Sequence, residues 1–386
     1  MKIIKTTMDM ATDEKSYLFF LGEKAREEKR GAHRYPLSLS CTSTSSDLEF
    51  YDQRLSEMGD LSFCEEKDTD VNVIEVPESA SPSLRKFTNS YGLDCYISKT
   101  PVPKSRVISI SARSSVGPLQ IIETSMRNLL DRYKVGTEFL DLLLSLGEDL
   151  KDSEAGLGKM VTREKPGGVY DTSYLYIYPE SSKQGSETSW TWRRTAVFHR
   201  FDAGAKSHLW ILLHPQQTSA AEQRLMKAVG NGTWGENSSI NWDQLHLLIL
   251  SSYTKNWLSY LNHLEASIKE DAKPTLAGTA CDLERLQRLQ DELIPLNARL
   301  ATSLGTVRIL GNLNTLLWQK KQYDEARFKG ISFELGYVKH EMEGYILGVE
   351  TMRERLKGCL SCISQHLIVR AERQPHKPWF ARLKIQ

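Results

Sequence analysis

The chain has 386 residues, of which 40% are hydrophobic and 26% charged, as expected of a soluble globular protein with one or two domains. Its formal net charge of +1 argues against a general nucleic-acid binder, because phosphate contacts require a surplus of basic residues. No apolar run approaches the roughly 18 to 20 residues that cross a bilayer, so the sequence predicts no membrane insertion.

The N-terminal part is predicted to be flexible before one amphipathic helix. Residues 1–36 are charged and mixed, and the polar residues 38–46 indicate a linker. The apolar run from Tyr17 to Leu21 is too short for a signal-peptide core. A helix is predicted from Asp47 to Phe63. Its apolar face consists of Leu48, Tyr51, Leu55 and Met58.

Residues 69–230 alternate between strand and helix patterns. Alternation of apolar and polar residues predicts strands at 69–76, 106–115 (half-buried), Tyr174–Tyr178, Arg194–Asp202 and His208–His214. Helical spacing predicts helices at 83–93, 124–130 and 138–146 and one that begins at Thr218 with Glu222 in its first turn. Pro77, Pro179 and Pro215 are expected to end three strands. The stretches 149–168, 181–189 and 203–206 are expected to be loops or turns.

From Asn241 onwards the apolar residues follow a helical period. One face of a long helix is formed by Trp242, Leu245, Ile249, Tyr253, Trp257, Tyr260, Leu264 and Ile268. After a break at residues 273–280, a second helix has two apolar lines with heptad spacing, and Pro295 is expected to kink it. The lines are Leu286, Leu293, Leu300, Val307 and Asn314, and Leu289, Leu296, Ser303, Leu310 and Leu317.

A third helix, Ile331 to Arg370, repeats this two-line pattern. Its first line is Leu335, Met342, Val349, Leu356 and Ile363, and its second is Val338, Tyr345, Met352, Cys359 and His366. Such a seam keeps one helix face against a partner helix. The pair of seamed helices therefore predicts either an antiparallel hairpin within the chain or a homo-oligomer associating through the first line. Asn314 and Ser303 are expected to set the register of the earlier seam.

These patterns predict an α+β protein in which helices flank a mixed β-sheet and a long helical, coiled-coil-like region follows. The predicted division is a flexible segment at 1–36, a mixed domain at 37–236, a helical stalk-like region at 237–370 and a basic tail at 371–386.

Two groups of residues have a partial likeness to ligand-binding motifs. The stretch Gly156-Leu-Gly-Lys159 lacks both the earlier glycine and the following Ser or Thr of a phosphate-binding loop, so a surface loop is predicted. Cys359, Cys362 and His366 could face one metal ion from a helix, but a closed zinc site needs a fourth ligand. The six scattered cysteines indicate reduced thiols in the cytosol rather than a disulfide framework.

The histidines and aromatic residues of the predicted strands are the remaining candidates. His199, Asp202 and His208 bracket a hairpin, but residues 199 and 202 of a strand face opposite sides, which argues against a catalytic dyad. The aromatic cluster Trp190, Trp192, Phe198 and Trp210 is interpreted as core, although the interleaved arginines leave a nucleic-acid face as an alternative. The acidic stretches 65–68 and 148–149 are interpreted as solvated surface. No catalytic residue is assigned.

Several longer stretches resemble the CorA-like transporter domain found in many fungal proteins. They are residues 110–148, 191–202 and 207–215, supported by the predicted helix at 47–63 and strand at 69–76. The resemblance covers roughly residues 36–370. It implies a cytosolic mixed sheet sandwiched by helices and a long stalk helix, which in CorA-type magnesium transporters leads to two membrane spans in a pentamer. Mg²⁺ is the ion that it implies, without ligands that can be assigned.

The sequence departs from this family at the pore. It contains no Gly-Met-Asn pore signature and no apolar run of membrane-spanning length. The sequence therefore predicts a cytoplasmic, non-enzymatic assembly or regulatory module. The alternative is a truncated or mis-spliced version of a membrane magnesium-type cation transporter, which would be membrane-associated in its fuller form.

Overall fold

The computed structural model of the protein describes residues 35–39, 48–77, 81–114, 116–147, 160–184, 187–231, 241–276 and 283–373. Within these ranges the chain forms a seven-stranded mixed sheet and many helices, the last of them 49 residues long. The predicted α+β class is confirmed. The predicted flexible segment except its last two residues, the 38–46 linker except its first two residues, and most of the basic tail lie outside the described residues.

The strands are β1 Val71–Val76, β2 Ser83–Phe87, β3 Ser105–Ser111, β4 Val161–Lys165, β5 Val169–Gln184, β6 Glu187–Asp202 and β7 Ser207–His214. The α-helices are α1 Leu48–Glu57, α2 Gly59–Ser62, α3 Ser90–Lys99, α4 Glu123–Arg132, α5 Glu138–Leu144, α6 Ala220–Gly230, α7 Gln244–Leu276, α8 Leu283–Leu293, α9 Leu296–Gln319 and α10 Glu325–Arg373. Short 3₁₀ turns lie at Glu66–Asp68 and Ser145–Gly147.

The strand order across the sheet is β2-β1-β3-β7-β6-β5-β4. β1 pairs with β2 and β3 in antiparallel fashion, and β3 pairs with β7 in parallel, with Val107 opposite Trp210. β3 thus lies between two strands, and all seven of its residues are buried. The prediction of a half-buried strand here was wrong, because a strand inside the sheet is covered on both faces.

The segment predicted as a helix at 83–93 is instead a strand followed by a helix. β2 pairs along its length with β1, so edge pairing overrides the local helical spacing. Helix α3 begins only at Ser90, because the side-chain oxygen of Asn89 accepts a hydrogen bond from the Gly92 amide at 2.7 Å.

The second half of the sheet is longer than predicted. β4 occupies part of the expected 149–168 loop, and β5 continues through Pro179, which was predicted to end it. The polar stretch 181–189 forms most of the adjoining ends of β5 and β6, apart from residues 185–186, which are not described. Pairing between neighbouring strands compensates for the low hydrophobicity of these residues. Pro215 does follow the end of β7, as predicted.

The described chain divides into two compact units. The first contains the described residues within 35–147, 160–176 and 193–249, and the second contains those within 177–192 and 250–373. In the first unit, Arg106 is fully buried and donates from Nε to the Glu75 carboxylate at 2.8 Å and from Nη1 to the Tyr133 hydroxyl at 2.8 Å.

The second unit has its own apolar core. Its buried members include Trp257, Leu264 and Ile268 of α7, Leu286, Leu289, Leu293, Leu296 and Leu300 of α8 and α9, and Val349, Met352, Leu356 and Ile363 of α10. Pro295 stands between α8 and α9 as the residue before the first turn of α9, so it divides the predicted helix rather than kinking it. The rings of Tyr178 and Tyr253 stack with centroids 3.6 Å apart.

Candidate functional site

The seam residues of the last two helices are buried within the chain. Both lines of the earlier seam, on α8 and α9, are less than a tenth exposed, including the polar Asn314 and Ser303. The first line of α10 is buried as well, and its members are Leu335, Met342, Val349, Leu356 and Ile363. In its second line Tyr345 and Cys359 are half-buried. The seamed helices therefore pack against each other within the chain, as the hairpin alternative predicted, and α10 packs extensively on α9.

The polar seam residue Asn314 has specific partners. Its side-chain nitrogen donates to the hydroxyl of Ser332 at 2.9 Å and to the carbonyl of Phe328 at 3.2 Å. Its side-chain oxygen accepts a hydrogen bond from the hydroxyl of Tyr323. Ser303 donates to the carbonyl of Ile177 at 3.3 Å. Each polar seam position is thus satisfied by particular neighbours, which fixes the relative position of the helices.

The opposite face of α10 exposes large apolar residues. Phe333 is 73% exposed, Leu347 64% and Ile368 59%. These residues are separated by 14 and 21 positions, so they share one heptad line. The line lies two positions before the buried one, which places it on roughly the other side of the helix. His340, Glu354 and Ser361 occupy the same line between them, so this face of α10, called here the exposed line, presents three separate large apolar side chains among polar ones.

The structure joins two of the hairpin histidines to a third that the sequence did not single out. Nε2 of His199 lies 3.1 Å from Nδ1 of His208, and Nδ1 of His199 lies 3.1 Å from Nε2 of His246 at the start of α7. Nδ1 of His246 lies 2.9 Å from the hydroxyl of Tyr174. These four side chains form a continuous buried chain, called here the histidine chain.

Two members of the histidine chain, His199 and His246, have pKa values held below the usual range. Burial lowers the pKa of His246 to about 3, and the neighbouring His208 adds to this effect. Burial, with His246 and His208 as neighbours, also holds the pKa of His199 well below its usual range. Asp202 takes no part, since its carboxylate accepts a hydrogen bond from the Ala205 amide in the turn. His246 was missed because strand and helix meet there only in the tertiary structure.

The aromatic residues proposed as one cluster are divided between the two units. Trp190 and Trp192 pack against Tyr260 in the second unit, and Arg299 lies over the Trp192 ring at 4.2 Å. Phe198 contacts Phe139 and Trp210 contacts His199, both in the first unit. Arg200 binds Asp171 through both carboxylate oxygens and Arg194 is buried.

The remaining sequence candidates are described only in part, and their described side chains form no metal site. Cys359 is half-buried and Cys362 is exposed on α10, and the side chain of His366 is outside the described part. Residues 156–159 and the acidic pair at 148–149 also lie outside the described part. The acidic stretch 65–68 is described: Glu65 precedes a 3₁₀ turn formed by Glu66–Asp68. Among the described side chains, no three His, Cys, Asp or Glu residues are grouped to hold a metal ion.

Glu222 in the first turn of α6 is the most unusual acidic side chain of the first unit. It is only 5% exposed, and Ser111 donates to its Oε2 at 2.7 Å. Ser109 and Asn72 donate to its Oε1 at 3.1 and 3.4 Å. Burial raises the pKa of Glu222, and these three hydrogen bonds oppose that shift. The sequence analysis correctly predicted Glu222 in the first turn of a helix. It did not predict that the side chain would be buried against β3 of the sheet.

The described ranges contain no helix that is both long and apolar enough to cross a membrane. Searches for similar solved structures found proteins with related architecture at low sequence identity. The full-length CmaX protein has a TM-score of 0.50 and 11% identity, over 80% of this chain and 81% of that one. This match shows a shared fold.

Two further matches have lower TM-scores. The CorA magnesium transporter of Methanocaldococcus jannaschii gives 0.43 at 15% identity, covering 78% of this chain and 79% of that one. The ZntB cytoplasmic domain of Vibrio parahaemolyticus gives 0.41 at 10% identity, covering 75% and 97%.

The sequence comparisons are more decisive. No curated protein matches the chain. The family model described as CorA-like transporters matches residues 27–276, which is well over half of the sequence. On this match, the chain belongs to the family of CorA-like transporters.

Proposed function

We propose that the protein is a non-enzymatic assembly or regulatory module of CorA-like cation transport and that it acts in the cytoplasm through association with a second copy of itself. The observation that carries this proposal is the three large apolar side chains that Phe333, Leu347 and Ile368 expose on one line of α10. Membership of a transporter family supplies the link to ion transport.

The proposal moves the association surface from the seam to the opposite face of α10. The seam residues from Leu335 to Ile363 already fill the core of the second unit, so a second copy would have to displace that core to reach them. The exposed line offers apolar surface without this cost. Heptad spacing allows two copies of one helix to stay in contact over several turns.

A non-enzymatic role is supported by the state of the polar groups in the first unit. The histidine chain is buried, which shields its rings from substrates, and burial lowers the pKa values of His199 and His246. Its hydrogen bonds join β5, β6, β7 and the start of α7, so we infer that it holds these elements together.

Analytical ultracentrifugation over a range of protein concentrations tests the association. The wild-type protein is expected to show a concentration-dependent mass, and the double variant Phe333→Glu/Leu347→Glu is expected to remain monomeric, because two charges in an apolar contact oppose its burial. The matched control is Leu258→Glu, an exposed leucine (42%) on α7. A monomeric wild-type protein at all concentrations would contradict the proposal.

A magnesium titration followed by thermal melting tests the link to cation transport. An ion that binds only the folded state must raise the melting temperature. We expect MgCl₂ to raise it more than NaCl at the same ionic strength. Equal effects of the two salts would contradict direct Mg²⁺ binding by this chain. The result of the association test would not be affected.

A further inference from the structure

A cleft opens in the first unit beside the N-terminal turn of α6. It encloses about 400 Å³ and its lining includes Asp70, Asn72, Lys86, Ser111, Gln217 and Glu222. The volume falls within the range of small-molecule sites, which is about 300 to 1,000 Å³. The cleft thus combines a suitable size with a strongly polar lining.

The carboxylate of Glu222 lines this cleft without a positive partner. Its hydrogen bonds come from two serine hydroxyls and one amide, all of them neutral donors. Among the described residues, no Lys, Arg or His lies within ion-pair distance of Glu222. A carboxylate that is 95% buried is costly without a counter-charge, since neutral donors replace only part of its hydration.

Asp70, the second carboxylate of the cleft, uses only one of its two oxygens as a hydrogen-bond acceptor within the described part of the chain. Asp70 Oδ2 accepts hydrogen bonds from Lys86 Nζ at 2.8 Å and from Gln217 Nε2 at 3.0 Å. Its other oxygen, Oδ1, is buried and has no hydrogen-bond partner among the described residues. Asp70 and Glu222 together carry two negative charges when ionised, and Lys86 supplies one positive charge. The cleft therefore favours a ligand with positive charge.

The sheet beneath the cleft shows the same shortage of partners. His214 is paired in register with Ser111 in the neighbouring strand and is fully buried. Within the described part of the chain, neither of its ring nitrogens has a hydrogen-bond partner. Buried polar atoms in folded proteins usually have a hydrogen-bond partner, so the two ring nitrogens of His214 add to the unsatisfied polar groups in this part of the sheet.

We propose that this cleft is a binding site for a small primary amine, whose ammonium group is held by the carboxylates of Asp70 and Glu222. An ammonium group has three N–H donors, and the carboxylates of Asp70 and Glu222 are the anionic groups among the lining residues that can accept them. Met226 adds an apolar wall for a methylene chain. An amine suits the site better than a bare metal ion, because, in the part of the chain that the structure describes, a third His, Cys, Asp or Glu ligand is not grouped with these two.

This site does not depend on the association of two copies through α10. It lies wholly within the first unit, whereas the exposed line of α10 belongs to the second. Failure of one proposal would therefore leave the other intact.

Thermal melting of the full chain with 1,4-diaminobutane tests the site, with 1,4-butanediol at equal ionic strength as the uncharged control. The diamine is expected to raise the melting temperature in a saturable way, and the diol is not. In Glu222→Gln and Asp70→Asn the apparent affinity is expected to fall at least about tenfold, as on loss of a charge-assisted hydrogen bond.

The control variant is Glu57→Gln, which changes an exposed carboxylate of the same unit and should bind the diamine as the wild type does. Glu222→Gln retains one oxygen acceptor for a serine hydroxyl, and its amide nitrogen can donate to the oxygen of the other serine. Circular dichroism checks that the variant folds. An equal rise in wild type and both variants, or no rise in the wild type, would overturn the proposal. A rise with MgCl₂ but not with the diamine would also overturn it and indicate a hydrated metal ion instead.

Discussion

The imidazole ring of His199 lies flat against the indole of Trp210, with ring centroids 3.5 Å apart and planes within 6° of parallel. The two residues are register partners in the β6–β7 pair, which places both side chains on one face of the sheet. The stacking orients the imidazole so that its two nitrogens meet His208 on one side and His246 on the other. A strand pair thereby positions the centre of the histidine chain before α7 supplies His246.

The histidine chain should make the protein acid-sensitive. A histidine in the unfolded chain has a pKa of about 6.5, whereas burial lowers the pKa of His246 in the folded protein to about 3. Between these values the unfolded state binds more protons. Stability is therefore full above pH 6.5 and decreases as the pH falls toward 3, by up to about 1.4 kcal/mol per pH unit for each such histidine.

Urea denaturation at pH 7.5, 6 and 5 measures this effect. His246→Gln is expected to reduce the slope of unfolding free energy against pH by about one proton, since glutamine does not titrate. The matched control, exposed His263→Gln, should leave the slope unchanged. Identical slopes in wild type and His246→Gln would show that His246 does not contribute to acid sensitivity.

Removing the carboxylate that faces Arg106 should be strongly destabilising. The Arg106 side chain is fully buried, and Glu75 is its ionic partner. Glu75→Ala leaves the guanidinium buried without a counter-charge, which costs about 3 to 5 kcal/mol in comparable cases. Chemical denaturation at pH 7 measures the loss. Glu65→Ala, which breaks an exposed pair with Lys67, should have little effect. Similar losses for the two variants would refute this explanation.

Filling the α9–α10 seam with an apolar residue at Asn314 should destabilise the second unit. Asn314→Leu matches the heptad pattern better, but it removes the amide that donates to the Phe328 carbonyl and the Ser332 hydroxyl, whereas Tyr323 keeps the backbone carbonyl of residue 314 as its acceptor. An unsatisfied buried polar group costs about 1 to 3 kcal/mol. Thermal or urea unfolding measures the difference. The control Thr315→Leu changes a neighbouring exposed position. Higher stability of Asn314→Leu would show that the polar seam position is dispensable.

Two glycine-to-alanine changes should have opposite signs. Gly168 in the β4–β5 turn has a φ of +77°, a conformation that residues with a Cβ adopt at a cost of about 1 kcal/mol or more. Gly168→Ala should therefore destabilise. Gly330 lies inside α10, and no tertiary neighbour among the described residues comes within 4 Å of the point that a Cβ would occupy. Gly330→Ala should therefore stabilise by about 0.5 to 1 kcal/mol. Urea unfolding measures the change in unfolding free energy for each variant. Changes of the same sign would contradict the explanation from backbone conformation.

Local periodicity was sufficient to predict the helical half of the chain. The predicted apolar face from Trp242, just before α7, to Ile268 within it is buried, and so is the first line of each seam, because each line depends only on local spacing. The strands β1, β3 and β7 were also predicted, since alternating or continuous β-branched runs ended by prolines or turns mark them locally. The family resemblance rested on the same stretches of sequence, and the family match over residues 27–276 confirms the CorA-like family.

The sequence could not predict features that depend on pairing between distant segments. β2 and β4 are polar strands that form because a neighbouring strand satisfies their backbone, which no local pattern reveals. In the same way, Glu222 meets Ser109 and Ser111 across more than a hundred residues.

The sequence by itself determined which residues lie on the buried face of each long helix, because that depends on a repeat of three and four residues along one chain. Only the tertiary structure decided what covers those faces. It buried Leu335 to Ile363 within the chain's own core and left Phe333, Leu347 and Ile368 exposed on the other side of α10. It also brought His246 to His199, because a contact between a strand and a helix is set by the packing of the whole unit.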